Sequence, residues 1–334
     1  MRSRDVDVPR ARRSARRSVP ARARRRVASA CARASSAGRA SRGKRTMETV
    51  EDARAMRSWT RARRTSGETV GFVPTMGCLH RGHLSLISIA RARCDRVVVS
   101  IYVNETQFAP GEDFEAYPRK MAEDLEACRS AGVDCVFVPR AMYPGKEEPA
   151  HETYVDVEIL SKGLCAQTRP HFFRGVATVV TKLFNVVEPD VAVFGKKDYQ
   201  QWRVIRRMTR DLNFAIEIVG GDIVREEDGL AMSSRNLLLT LEKRAEATVI
   251  NRSLREAKAL AERQPTACGV LVDAVTQAIN GGGGVVDYVQ VMEPESLTPY
   301  EGNVSSPCVI AVAAKFGSVR LLDNIEIMCE GVKR

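Results

Sequence analysis

Short apolar runs alternating with helix-length amphipathic segments predict a doubly wound parallel α/β sheet up to about residue 223, with a smaller α+β domain after it. The runs "TVGFVP" (69–74), "RVVVSIYVN" (96–104), "DCVFVP" (134–139), "DVAVFG" (190–195) and "FAIEIVG" (214–220) are nearly continuous rather than alternating, as in strands buried on both faces. Segments long enough for crossover helices separate them. Beyond Val224 the texture changes to longer strands without intervening helices.

In chain order, residues 47–66 read as an amphipathic helix carrying Val50, Ala53, Met56 and Trp59, closed near "TSGE". The first strand, 69–74, leads into a helix over 83–93, and the strand 96–104 follows. A charged helix over 118–131 precedes the strand 134–139. "GVATVVTKLFNVV" (175–187) is helical, and a helix over 198–211 lies between the last two parallel strands. In the second domain one helix runs from about 240 to 263 and another precedes "GGGG" (281–284). Three antiparallel strands follow at 285–292, 308–316 and 319–327. The four glycines lack the Lys and Ser/Thr of a P-loop and read as a flexible connection. The expected organisation is a 1–46 extension, a 47–223 sheet domain and a 224–334 smaller domain.

The 334 residues suffice for one large domain or two ordinary ones, and no apolar run is long enough to cross a bilayer, so a soluble protein is expected. The formal charge of +11 is unevenly placed. Residues 1–46 hold fifteen Arg and Lys44 against Asp5 and Asp7, a net of +14. Of the chain's 52 basic and 41 acidic residues, 36 and 39 remain in the body, a net of −3. An acidic body has no bulk claim on a phosphate backbone, which argues against nucleic acid as a partner. The Arg/Ala/Ser-rich extension cannot form a core; it reads as a transit peptide or as sequence upstream of a true start at Met47. The nine cysteines include no C-x-x-C pair and are expected to be reduced, buried small side chains. Cys78 stands beside His80 and His83, but zinc would need a fourth ligand that no second cluster offers.

The candidate site begins at "VPTMGCLHRGHLSL" (73–86), where two of the four histidines lie three apart at a strand-to-helix turn. Ligands of open parallel sheets bind at the carboxyl ends of strands, and a helix N-terminus favours an anion. His80 and His83 can donate to phosphate oxygens and gain charge as the phosphate binds, and Gly82 leaves room for a base or ribose. "VFGKKDYQQW" (193–202) emerges from another strand: Lys196 and Lys197 neutralise phosphate, Asp198 holds magnesium or a ribose, and Gln200 and Gln201 suit a hydroxylated substrate. "DGLAMSSRN" (228–236) adds two hydroxyls and Arg235 for β- and γ-phosphates, and "YVNETQF" (102–108) adds Asn104 and Gln107.

Together "PTMGCLHRGH", "SIYVNETQF", "RPHFFRGVATVVTKLFN", "FGKKDYQQ", "AMSSRN" and "RLLDN" resemble the pantothenate synthetase (pantoate–β-alanine ligase) family, in its plant-like form. That family lies within the H-x-G-H nucleotidyltransferase superfamily. The resemblance spans Gly71 to Asn324 and implies a Rossmann-like ATP- and pantoate-binding domain followed by a lid that closes over the site. It implies a ligase that joins pantoate to β-alanine through a pantoyl adenylate, releasing pyrophosphate and then AMP. It further implies that Met76, Gly77, His80, Gly82, His83, Gly195, Lys196, Lys197, Asp198, Met232, Ser233, Ser234 and Arg235 bind ATP, with Val224 near the adenine. His83, His80, Lys197 and Arg235 would be catalytic, His83 as proton donor; Gln107, Gln201 and Asn104 would serve the substrates, and Asp198 a magnesium ion on the phosphates. A homodimer through the sheet domain and a cytosolic enzyme are implied, with a plastid or mitochondrion the alternative if residues 1–46 direct import.

Three positions depart from the family pattern. Glu105 stands where proline is usual, and is expected to point outward. "RPHFFRG" puts His171 one place early and Phe172 in the usual histidine position, so His171 is left out of the site. Lys196 replaces a frequent Glu and should add positive charge beside ATP. A different H-x-G-H nucleotidyltransferase is opposed by "KDYQQ" with "VNETQF", which address a small polyol acid.

Overall fold

The chain enters its fold through a short edge strand, β1 (Glu48–Val50), which pairs in parallel with β4 (Cys135–Phe137). Two further parallel pairings join β4 to β3 (Arg96–Ile101) and β3 to β2 (Val70–Thr75). On its other side β2 pairs with β5 (Val191–Gly195), and β5 with β6 (Glu217–Gly221), so the sheet order is β1-β4-β3-β2-β5-β6. The computed structural model describes residues 46–109, 111–143 and 151–328; the Arg-rich extension lies outside them.

The crossover helices are α1 (Ala53–Thr65), α2 (Arg81–Arg93), α3 (Met121–Ser130), the short α4 (Cys165–Thr168), α5 (Phe172–Val187) and α6 (Tyr199–Asp211). Strand side chains alternate between the two faces. Phe72 and Val98 join a core with Met56 of α1, Phe184 of α5 and Ile205 of α6. Val73, Val97 and Val99 join the opposite core, with Ile87 of α2 and Cys128 of α3. Burial on both faces explains the unbroken apolar runs.

The C-terminal part follows with α7 (Leu241–Glu246), α8 (Val249–Arg263), α9 (Cys268–Gly281) and the antiparallel sheet β7 (Val285–Met292), β8 (Cys308–Phe316), β9 (Val319–Ile327). Its own core includes Leu254, Leu271 and Ile279, whereas Met292, Val309 and Ala311 pack into the core of the parallel sheet. From Thr46 on, the chain clusters as one compact unit.

Three expectations are corrected. The predicted helix over 47–66 is a strand, Glu48–Val50, and then a helix capped by Asp52, whose carboxylate accepts from Ala55 N at 2.8 Å. The predicted helix over 240–263 breaks between Glu246 and Val249. "GGGG" is a packed turn rather than a flexible connection. A Cβ on Gly284 would lie 2.7 Å from the Phe316 ring, and Gly283, at φ +85°, lies against Glu246. Of the cysteines, Cys78, Cys94, Cys128, Cys135, Cys165 and Cys308 are free and buried, and Cys268 is free and half-buried.

Candidate active site

The sheet order places the chain's reversal between β2 and β5, where a parallel sheet opens a crevice at its carboxyl edge. A cleft of about 930 Å³ occupies this position. Each strand end there contributes: His80 and His83 after β2, Asn104 and Gln107 after β3, Lys197, Asp198 and Gln201 after β5, and Val224 after β6. Met232, Ser233, Ser234 and Arg235 close one side. Met76, Gly82 and Gly195 also face the cleft. An added Cβ at Gly195 would meet only Leu86, at 3.9 Å, so the space that this glycine leaves is the cleft itself.

His80 caps α2 and His83 is its third residue, and the two side chains form a reciprocal cap. Gly82 N donates to His80 Nδ1 at 3.1 Å, and His80 N donates to His83 Nδ1 at 3.3 Å. Each Nδ1 is therefore an acceptor and the remaining proton sits on Nε2. Burial holds the His80 imidazole down at about 4, with Lys197 adding to it; burial, then His80 and Lys197, hold His83 at about 3. Both rings are neutral Nε2–H donors at neutral pH. Gly82 serves this cap, because a Cβ there would lie 2.8 Å from His80 Cε1.

The turn before α2 is held by a residue that the sequence did not single out. Asp124 of α3, 2 % exposed, accepts from Cys78 N at 2.8 Å and from Leu79 N at 2.6 Å. The backbone there is left-handed at Gly77 (φ 84°) and Cys78 (φ 51°), and a Cβ on Gly77 would lie 2.9 Å from the same carboxylate. Gly77 thus shapes the turn without facing the cleft. Ser234 Oγ donates to Cys78 O at 3.1 Å, tying the "SSR" segment to the turn.

Lys197 faces the cleft 3.2 Å from Asp198 Oδ2. Burial works to raise the Asp198 carboxyl, and the Lys197 charge overrides it, leaving the group below its ordinary value. Lys196 differs from expectation. Its ammonium pairs with Asp222 at 2.9 Å and Glu326 at 3.1 Å and does not line the cleft. Asn324 of β9 donates to the Lys196 and Lys197 carbonyls at 2.9 and 3.0 Å, fixing the start of this segment. Arg235 is held in a fork by Asp113, with Nε–Oδ2 2.7 Å and Nη2–Oδ1 3.0 Å.

Gln107 stands on a 3₁₀ turn, Glu105–Gln107, against α5. Asn104, 1 % exposed, donates to Gln107 Oε1 at 3.0 Å and to Gly175 O at 3.4 Å, which leaves the Gln107 amide nitrogen toward Met76 and the cleft. Gly175 permits this closeness, since a Cβ would stand 2.3 Å from Thr106 O. Glu105 points away and accepts from Tyr102 OH at 2.7 Å. Phe172 lines the cleft under the Arg169 guanidinium, 4.0 Å from its ring centre, while His171 is exposed outside it. Gln201 faces the cleft, but Gln200 turns away. It is 4 % exposed, accepts from Cys165 N and donates to the Leu160, Lys162 and Gly163 carbonyls.

A parallel sheet with paired histidines at a helix N-terminus, and a lysine and an arginine lining the same cleft, defines a nucleotide-binding α/β enzyme of the H-x-G-H type. A family model described as Pantoate-beta-alanine ligase matches residues 48–326. The chain belongs to that family. It is 54% identical over 303 residues to the pantoate–β-alanine ligase of Oryza sativa subsp. japonica, covering 84% of this chain and 96% of that one. It is 48% identical over 284 residues to the pantothenate synthetase of Heliobacterium modesticaldum, covering 84% and 99%. The crystal structure of pantothenate synthetase from Thermus thermophilus superimposes with a TM-score of 0.78 at 41% identity, covering 84% and 100%. The ligase from Francisella tularensis, complexed with beta-gamma ATP and beta-alanine, gives 0.70 at 30% identity, covering 84% of this chain and 97% of that one.

Proposed function

We infer that the cleft catalyses the ATP-dependent condensation of pantoate with β-alanine to pantothenate, AMP and pyrophosphate. The observation that carries the reading is the pair of neutral Nε2–H donors at the α2 N-terminus, with Lys197 close by in the same cleft. A pantoate carboxylate oxygen attacks the α-phosphorus of ATP while the bond to the β-phosphate oxygen breaks. Charge grows on the leaving pyrophosphate, and fixed donors placed where it grows lower the barrier. His80 and His83 supply two such donors, Lys197 a cation, and Arg235 a planar fork for the β- and γ-phosphates. With imidazoles depressed to about 4 and about 3, His83 acts by donating a hydrogen bond rather than as an imidazolium acid.

Gln107, its amide nitrogen turned inward, and Gln201 hold the pantoate carboxylate and hydroxyls. The β-alanine amine then attacks the acyl carbon, AMP leaves, and the amine proton passes to solvent or a phosphate oxygen. Closing the cleft keeps water from the adenylate; Lys315 and Arg320 of the antiparallel sheet already line it. Val224 and Met232 flank the space for the adenine.

Magnesium fits the donor set: Asp198 brings a carboxylate to the cleft beside Lys197, and among the described residues no group of three or more His, Cys, Asp or Glu could hold a metal. That matches an ion held mainly by substrate phosphates and water. Bound there, it would neutralise phosphate charge. No helix among the described residues is long and apolar enough to cross a membrane. We further propose a cytosolic homodimer in which the C-terminal segment, from about residue 224, acts as the lid.

The test is isotopic. Pantoate labelled with ¹⁸O in its carboxylate, turned over with ATP and β-alanine, should deliver one label into AMP. Label in inorganic phosphate, with ADP formed, would mean an acyl phosphate and refute the adenylate.

A further inference from the structure

The arginine assigned to the triphosphate is already occupied. Both donors on one edge of the Arg235 guanidinium go to Asp113, and the ring of Tyr117, itself buried, lies 5.7 Å from the guanidinium carbon. A guanidinium edge receives a carboxylate and a phosphate in the same two-point geometry, so that edge cannot take both at once. The adjacent Glu112 makes its own bidentate pair with Arg169, at 2.6 Å for each bond, and Arg169 also donates to Gln107 O. The backbone at 112–113 is thereby anchored independently of Arg235, leaving the Asp113 side chain able to let go without release of the loop. Burial works to raise the Asp113 carboxyl, and Arg235 more than offsets it, so the competitor is charged at neutral pH.

We propose that Asp113 is an internal competitor for the β- and γ-phosphates: ATP seats by displacing it from Arg235, and its return after adenylation expels pyrophosphate. This rests on the reading of Arg235 as a phosphate ligand. A residue acting so would weaken only ligands that carry phosphates beyond the first. AMP, which lacks them, is the internal control, and its binding also reports that a variant is folded.

The experiment is calorimetric titration of the full chain and its variants with ATP, inorganic pyrophosphate and AMP. Asp113→Asn is expected to tighten ATP and pyrophosphate about tenfold and to leave AMP unchanged. In the Arg235→Gln background the same substitution should change nothing. If Asp113→Asn leaves ATP and pyrophosphate unchanged or weakens them while Arg235→Gln weakens ATP relative to AMP, the competitor is refuted and the phosphate role of Arg235 stands. Equal shifts for ATP and AMP would mark a structural role and refute it too. If Arg235→Gln leaves the preference for ATP over AMP intact, the reading of Arg235 falls and the proposal falls with it.

Discussion

The His80 and His83 rings lie 4.1 Å apart between centroids at 38°, each with its Nδ1 committed to a backbone N–H. A proton added to either ring would have to break the reciprocal cap and would meet Lys197.

Both imidazoles should therefore stay neutral and Nε2-protonated from pH 8 to pH 5 in the free enzyme, as ¹⁵N spectra of labelled histidine would report. Their folded values lie below the unfolded value of about 6.5, so the unfolded chain binds more protons below that pH. The stability from these two sites is fully present above about pH 6.5 and declines as pH falls toward 4 and 3. Titration of either ring near 6.5 would contradict the cap.

Gly175→Ala places a methyl 2.3 Å from Thr106 O, and backbone on both sides leaves little room to give. The 3₁₀ turn that carries Gln107 must shift. The KM for pantoate should rise about tenfold with ATP affinity little changed, and stability should fall by about 1–3 kcal/mol. Steady-state kinetics with pantoate and ATP varied separately checks the split.

Asp124→Ala removes the acceptor for Cys78 N and Leu79 N in a turn with two left-handed residues. One buried and one half-buried donor left unpaired cost about 2–4 kcal/mol, measurable by denaturant unfolding. Asp124→Asn keeps one acceptor and should lose about half as much. Nucleotide affinity should fall in both variants, because the turn sets His80.

The parallel strands were legible because burial on both faces writes itself as unbroken apolar sequence. β1 was not: "ETV" is three residues long at the sheet edge and runs straight into an amphipathic helix. The break between α7 and α8 was hidden for a related reason, since Ala247 and Thr248 keep helical dihedrals across it. His80, His83, Lys197 and Gln107 stand out as polar residues following strand ends, and Arg235 as the charge of the polar segment "DGLAMSSRN". Asp113, Asp124 and Asn324 do not, because each acts on a segment distant in sequence and is an ordinary polar residue where it stands. Gln200 was misread beside Gln201, yet neighbours on a helix point about 100° apart, and only one faced the cleft. Lys196 was misread for want of the two carboxylates, Asp222 and Glu326, that take its charge.

Activation of pantoate by adenylation in this cleft is the step on which the rest depends. Exchange of labelled pyrophosphate into ATP, measured with pantoate present and β-alanine left out, tests it most directly. The expected result is exchange that depends on pantoate, with pantothenate and AMP accumulating once β-alanine is added. No exchange from a folded protein that binds ATP, or exchange indifferent to pantoate, would contradict it.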